Sequence, residues 1–161
     1  MSLLSGTSAP AARLGPAQLA QIALRITDHP GQWLSLVRYD PARRWYQRLA
    51  RDEEHEIWLL SWLPGQHTGL HDHGMSAGAF AVARGFLCEQ AAPGGQLEPS
   101  GRALAPGAVR SFGPAYVHEV RNESAWPAVS IHAYSPPLSS MRRYRVAAHG
   151  VLRATGEDRS W

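Results

Sequence analysis

The hydrophobic positions of this chain change their period partway along it. From Pro16, the segment PAQLAQIALRITDHPG sets Leu19, Ile22, Ala23 and Ile26 at helical spacing. Proline opens this segment and His29-Pro30-Gly31 breaks it, so the pattern predicts one amphipathic helix. A short helical or irregular stretch is expected around Gln32 to Val37. Beyond it the pattern turns to short apolar runs: EIWLLSWL (56–63), GAFAVARGFLCEQ (78–90), AVRSF (108–112), VHEV (117–120) and AVSIHAY (128–134). Gly, Pro and Asn separate them, and MRRYRV with GVLRATG reads as a closing hairpin. The expectation is a mainly β fold, a small antiparallel barrel or sandwich behind an N-terminal helix. Residues 1–15 are rich in Ser, Ala, Gly and Pro and read as a flexible lead-in, leaving 16–161 as one domain.

Length and composition support this picture. A chain of 161 residues with 44% hydrophobic and 18% charged residues suffices for one packed domain and is short for two. All 16 basic residues are arginine, and the formal net charge is only +3. They are scattered, the densest group being Arg142, Arg143 and Arg145, which argues against a nucleic-acid surface. The single cysteine, Cys88, excludes an intrachain disulfide. No window reaches the roughly 20 apolar residues that span a bilayer, and MSLLSGTSAPAARLG lacks a signal-peptide pattern. These features lead to the expectation of a cytoplasmic monomer with no membrane or nucleic-acid partner.

Histidine carries the chemistry. The stretch WLPGQHTGLHDHG (62–74) holds His67, His71 and His73. In an extended backbone, His71 and His73 point to one face with Cα atoms about 6.5 Å apart, a workable bite for one metal ion. Asp72 faces the other way and reads as structural, and His67 as loop. Further on, GPAYVHEVRN places His118 in a Gly/Pro-bounded strand, four residues before Asn122. This two-part pattern resembles the cupin superfamily, small β-barrels that hold a metal with histidines from two motifs. The glutamate usual in the first motif is missing, since its slot falls on Ala77 or Gly78. His71, His73 and His118 remain as three neutral candidate ligands, which would leave about three positions open on an octahedral ion. A further row, Ser130, His132 and Tyr134, shares one face of a strand at i, i+2, i+4 and suits a hydrogen-bonded relay.

Taken together, Y-Q-R (46–48), W-L-P-G (62–65), H-D-H (71–73), H-x-V-x-N (118–122) and S-I-H-A-Y-S-P-P (130–137) resemble the cysteine dioxygenases, cupin-type thiol dioxygenases with a three-histidine iron site. The resemblance covers about Arg44 to Leu138. It implies a jelly-roll-type cupin barrel in which His71, His73 and His118 bind one Fe(II). It also implies that Arg48, assisted by Tyr46, grips the substrate carboxylate. His132 and Tyr134, linked to Ser130, would position a phenol near substrate and oxygen. Trp62 would support the pocket wall, and Ser135-Pro136 would be a cis-proline turn. The cysteine that some members join to the tyrosine corresponds here to Gly78, as in bacterial members, so Tyr134 is expected to be unmodified. Cys88 reads as a small core residue.

The implied reaction adds both atoms of O2 to the sulfur of L-cysteine, giving cysteine sulfinate. Three neutral imidazoles leave the ion its full positive charge, which favours an anionic thiolate, and a guanidinium matches a carboxylate in a bidentate fork. The alternatives are oxidation of 3-mercaptopropionate or another small thiol, a non-catalytic metal-binding cupin, and an isomerase-type cupin acting on sugars. Relatives that use mercaptopropionate tend to have glutamine in place of the arginine, and Gln47 stands beside Arg48.

Overall fold

The computed structural model describes residues 13–160; most of the proposed lead-in lies outside them. Helix α1 spans Pro16–Thr27, and two short 3-10 turns, Pro30–Gln32 and Leu34–Leu36, form the irregular stretch predicted after it. The strands are β1 (Trp45–Arg51), β2 (Glu56–Trp62), β3 (Ala77–Arg84), β4 (Leu87–Ala91), β5 (Arg102–Leu104), β6 (Val109–Phe112), β7 (His118–Arg121), β8 (Ala128–Ser135), β9 (Met141–Val146) and β10 (Leu152–Asp158). They form a five-stranded sheet in the order β1-β2-β8-β3-β6, a three-stranded sheet β5-β4-β7, and the hairpin β9-β10. All the pairings between these strands are antiparallel. Among the described residues, no helix is long and apolar enough to cross a membrane.

The run EIWLLSW lacks alternation because β2 is buried on both faces, as is most of β3 and β8. The two faces do different work. Trp58, Leu60 and Trp62 of β2, Phe80 and Val82 of β3 and Tyr134 of β8 point into the barrel and meet Leu87, Phe112 and Val120 from the other strands. The intervening Ile57, Leu59, Ala79, Ala81, Ile131 and Ala133 point outward, against Leu19 and Ala23 of α1 and Trp33. Small alanines at these rungs let the helix approach closely. Leu19 is fully buried there, a contact worth about 1.5–3 kcal/mol. Trp33 ties the end of the helix down by donating from its indole nitrogen to the carbonyl of Ile26 at 2.9 Å.

Two strands were not legible in the hydrophobic pattern. β1 lies at the edge of its sheet with only Trp45 and Leu49 half-buried, so its sequence WYQRLAR shows no clean apolar face. β5 is three residues long and carries one buried side chain, Leu104.

Candidate metal centre

Strand β2 ends at Trp62, and the chain turns through Leu63-Pro64-Gly65 to enter the stretch that holds the paired histidines. Asn122, at the end of the His118 motif, secures this turn. Its amide donates to the carbonyls of Trp62 at 3.1 Å and Trp126 at 2.8 Å, and its own backbone carbonyl accepts from the amide of Gly65 at 2.8 Å. From there the backbone is zipped to β7: Thr68 N–H donates to Val120, and His71 and His118 exchange reciprocal bonds at 3.0 Å. On its other side the same stretch receives the amide of Tyr144 at Leu70 and donates from Asp72 to Arg142, both on β9. The expected extended conformation is present as single bridges to β7 and β9.

Asp72 is structural, as its orientation predicts. It is buried, accepts from the amide of Gly74 at 3.0 Å and receives the hydroxyl of Tyr144 at 2.7 Å. Gly74 has φ +58, and a Cβ there would meet the Ser140 hydroxyl at 2.7 Å, so the turn that ends this segment requires glycine. His67 is more than half exposed and pairs with Glu119 at 3.0 Å, away from the other histidines.

His71, His73 and His118 come together, all buried, with one nitrogen from each within 4.8 Å of the others. The Nε2 atoms of His71 and His73 are 3.1 Å apart. Two ligands at right angles on an ion about 2.1 Å away lie about 3.0 Å apart, so the pair has the spacing of a shared metal. The outer nitrogens set the orientation. His71 Nδ1 donates to the carbonyl of Gly69 at 2.8 Å, and His118 Nδ1 donates to Glu89 Oε1 at 2.8 Å, leaving each Nε2 free for a metal. Burial, followed by neighbouring histidine charge, holds His71 and His73 well below the usual imidazole range, so both present lone pairs at neutral pH. The donor set therefore fits a divalent ion.

The second cluster lines up as the strand period requires. Ser130, His132 and Tyr134 are buried inside the barrel on β8, between β2 and β3, rather than on a wet strand edge. Trp62 Nε1 donates to Ser130 Oγ at 2.9 Å, Ser130 Oγ lies 2.8 Å from His132 Nε2, and His132 Nδ1 lies 3.2 Å from the Tyr134 hydroxyl. Burial keeps His132 well below the usual imidazole range and pushes the Tyr134 hydroxyl well above the usual phenol range. The Tyr134 ring packs 4.8 Å from that of His73. The peptide bond Ser135-Pro136 is cis.

A cavity opens onto this constellation, lined by His71, His118, His132, Tyr134, Tyr46 and Arg44 and walled by Trp58, Leu60 and Met141. Tyr46 reaches it as expected, its ring edge-on to Trp58 at 5.8 Å. Arg48 does not line it. Its guanidinium sits over Trp58, 5.4 Å from the ring centroid and 3.7 Å from Glu56. The arginine in the cavity is Arg44, whose guanidinium lies 5.0 Å over Trp62 and donates to the carbonyl of His67 at 3.0 Å.

Glu89 is the other functional residue that sequence reasoning missed. It is buried in β4, and burial works against its charge. Hydrogen bonds from His118 and Arg110 outweigh that cost and hold the carboxyl below its usual range. A lone acid in FLCEQ ordinarily reads as a solvated position. Only the β4–β7 register, with Ala91 opposite His118 and Glu89 opposite Val120, makes it the diagonal neighbour of a candidate ligand.

A barrel of this topology is a cupin-type fold, and three inward imidazoles beside a cavity give it a site that could hold a metal. The sequence of residues 16–147 matches the family of cysteine dioxygenase type I, and the chain belongs to that family. Cysteine dioxygenase type 1 of Danio rerio is 28% identical over 141 residues, covering 79% of this chain and 69% of that protein. Among solved structures, the TT1209 protein of Thermus thermophilus superposes with a TM-score of 0.57 at 27% identity, over 65% of this chain and 93% of that one. A conserved protein with a double-stranded β-helix domain from Klebsiella pneumoniae superposes with a TM-score of 0.56 at 15% identity, over 76% and 92%. The last similarity concerns the fold. Family membership and the three-histidine site support an oxygenase.

Proposed function

We propose that the chain is an Fe(II)-dependent thiol dioxygenase that converts L-cysteine to cysteine sulfinate. The observation that carries this reading is the juxtaposition of three buried imidazoles, without a carboxylate among them, and a tyrosine-ended hydrogen-bond row at the same cavity. His71, His73 and His118 would hold the iron. When bound, it supplies the Lewis acidity that makes a thiol ionise at neutral pH and the redox chemistry that lets O2 react with sulfur. Sulfur loses four electrons and the two oxygen atoms gain them, so no external reductant is required.

The protein's own part is orientation and proton placement. An indole nitrogen only donates, so Trp62 fixes Ser130 Oγ as an acceptor. The Ser130 hydroxyl then donates to His132 Nε2, and the neutral ring donates from Nδ1 to the Tyr134 oxygen. Tyr134 keeps its own hydrogen for the cavity, where it stabilises negative charge on the reacting oxygen or sulfur. Apolar walls from Trp58, Leu60 and Met141 limit water around the thiol.

Oxidation of 3-mercaptopropionate is the second reading, supported by a cavity that carries a guanidinium and, among the described residues, no acid to receive an ammonium group. One experiment tests both. Anaerobically Fe(II)-loaded protein is given L-cysteine and 3-mercaptopropionate in parallel, with oxygen uptake and sulfinate product quantified. Coupled uptake with cysteine preferred supports the first reading, and preference for mercaptopropionate supports the second. No uptake with either leaves a non-catalytic metal-binding cupin.

A further inference from the structure

The Glu89 carboxylate is shared between the candidate metal centre and a cation on the far side of it. Arg110 stands opposite Phe80 in the β3–β6 ladder, and directly opposed residues share a face, so it follows Phe80 toward the barrel interior. There its Nε meets Glu89 Oε2 at 2.5 Å. The other oxygen, Oε1, accepts from His118 Nδ1 at 2.8 Å and from the Tyr116 hydroxyl at 3.4 Å. Glu89 is 3% exposed, so water takes little part in satisfying it. Neither Glu89 nor Arg110 lines the cavity.

A carboxylate has one negative charge to divide between its two oxygens. An imidazole that donates its outer N–H to an anion becomes a more basic ligand at its other nitrogen. A guanidinium bound to the same anion draws charge away from that bond. Arg110 and His118 therefore compete for Glu89, and the geometry sets them on separate oxygens, where both bonds persist together.

We propose that Arg110 is a positioning residue that acts through Glu89, moderating the His118–Glu89 hydrogen bond and with it the strength of His118 as a metal ligand. The bond is independent of any ion, and only its consequence rests on the metal-centre reading. A less basic His118 leaves a bound ion more of its own charge, which favours an anionic thiol.

The test uses the full chain at pH 8 and reads two quantities. One is the proton shift of His118 Nδ1–H by NMR, without metal and with Zn(II). The other is Zn(II) affinity by competition with a chromophoric chelator. In Arg110→Gln the proton should move downfield, and Zn(II) should bind about threefold or more tightly, a part of the 10- to 100-fold that a whole outer partner carries. Arg110→Lys, which keeps the charge, should return both readings toward the parent. Tyr116→Phe takes a weaker donor from the same oxygen and keeps the ring that packs edge-on to His118, so both readings should move as in Arg110→Gln, by less. In a Glu89→Gln background, adding Arg110→Gln should change Zn(II) affinity by less than about twofold, as for groups with no remaining coupling. Weaker Zn(II) binding in Arg110→Gln with an unmoved proton makes Arg110 a structural support and overturns the proposal. Tightening that survives in the Glu89→Gln background is direct repulsion of the ion and also overturns it. A parent whose proton responds to these substitutions and which binds no divalent ion removes the metal-centre reading and leaves the Arg110–Glu89 assignment standing.

Discussion

His118 Nδ1 and Glu89 Oε1 stand 2.8 Å apart, with both side chains 2% exposed. The bond fixes the ring orientation of the candidate ligand that comes from the second histidine motif, and Arg110 holds the carboxylate from its other side. Glu89→Gln keeps the shape but replaces the ionised acceptor with a neutral amide. Metal affinity should fall about 10- to 100-fold, the usual cost of losing an outer partner of a ligating histidine. Competition with a chromophoric chelator measures this directly. Unchanged affinity would mean that the backbone alone orients His118.

Removing the phenol at the end of the row tests a different element. Tyr134→Phe should lower kcat with L-cysteine by about 10²-fold or more, in line with loss of one preorganised donor. Metal affinity should stay within about threefold, because Tyr134 packs against His73 through its ring and the ring remains. Ser130→Ala should give a smaller loss in the same direction, seen in steady-state oxygen electrode rates.

Stability should fall on the acid side. His71, His73 and His132 are held neutral in the fold, chiefly by burial. As pH drops through their ordinary value of 6.5, the unfolded chain takes up protons that the folded chain refuses. The metal-free protein therefore keeps full stability above that point and loses it progressively below, by up to about 1.4 kcal/mol per pH unit for each histidine. Urea titrations at pH 7.5 and 5.5 should show the difference, and His132→Asn should flatten the slope. An acid-side Tm equal to that at pH 7.5 would contradict it.

Gly78 marks the place where a cysteine would stand beside the tyrosine. A Cβ there would lie 2.5 Å from the Phe112 ring and 2.9 Å from that of Tyr134. Gly78→Ala should therefore destabilise the protein by about 1–3 kcal/mol through overpacking, read in denaturant melts. Phe112→Leu in the same chain should recover part of the loss. In this barrel the phenylalanine fills the volume that a linked cysteine would need, which agrees with an unmodified Tyr134.

What the sequence made legible follows the two-residue period. His71 with His73, and Ser130 with His132 and Tyr134, are visible because a strand sends alternate side chains one way, and the structure buries both rows inside the barrel. Cys88 is a buried small residue, as its apolar strand implies. Arg44 was hidden in the charged run RRWYQRLARD, where an edge strand gives no sign of which guanidinium turns inward. Its neighbour Arg48 pairs with Glu56, a buried acid at the start of β2 that looks like a solvated strand end when read alone. Such residues become identifiable only when separate segments are paired.

The reciprocal amide bonds between His71 and His118 bear on how the ion enters. Because those bonds, and the ones from Tyr144 to Leu70 and from Asp72 to Arg142, belong to the barrel's own backbone, the ligands are positioned by folding. An arriving ion meets imidazoles whose conformational entropy has already been spent, so its binding free energy is not diverted into ordering a chain. Amide hydrogens at His71 and His118 should consequently exchange with deuterium at similar slow rates in the metal-free and metal-loaded protein, in contrast to a zinc-finger-like site that melts when its metal is withdrawn.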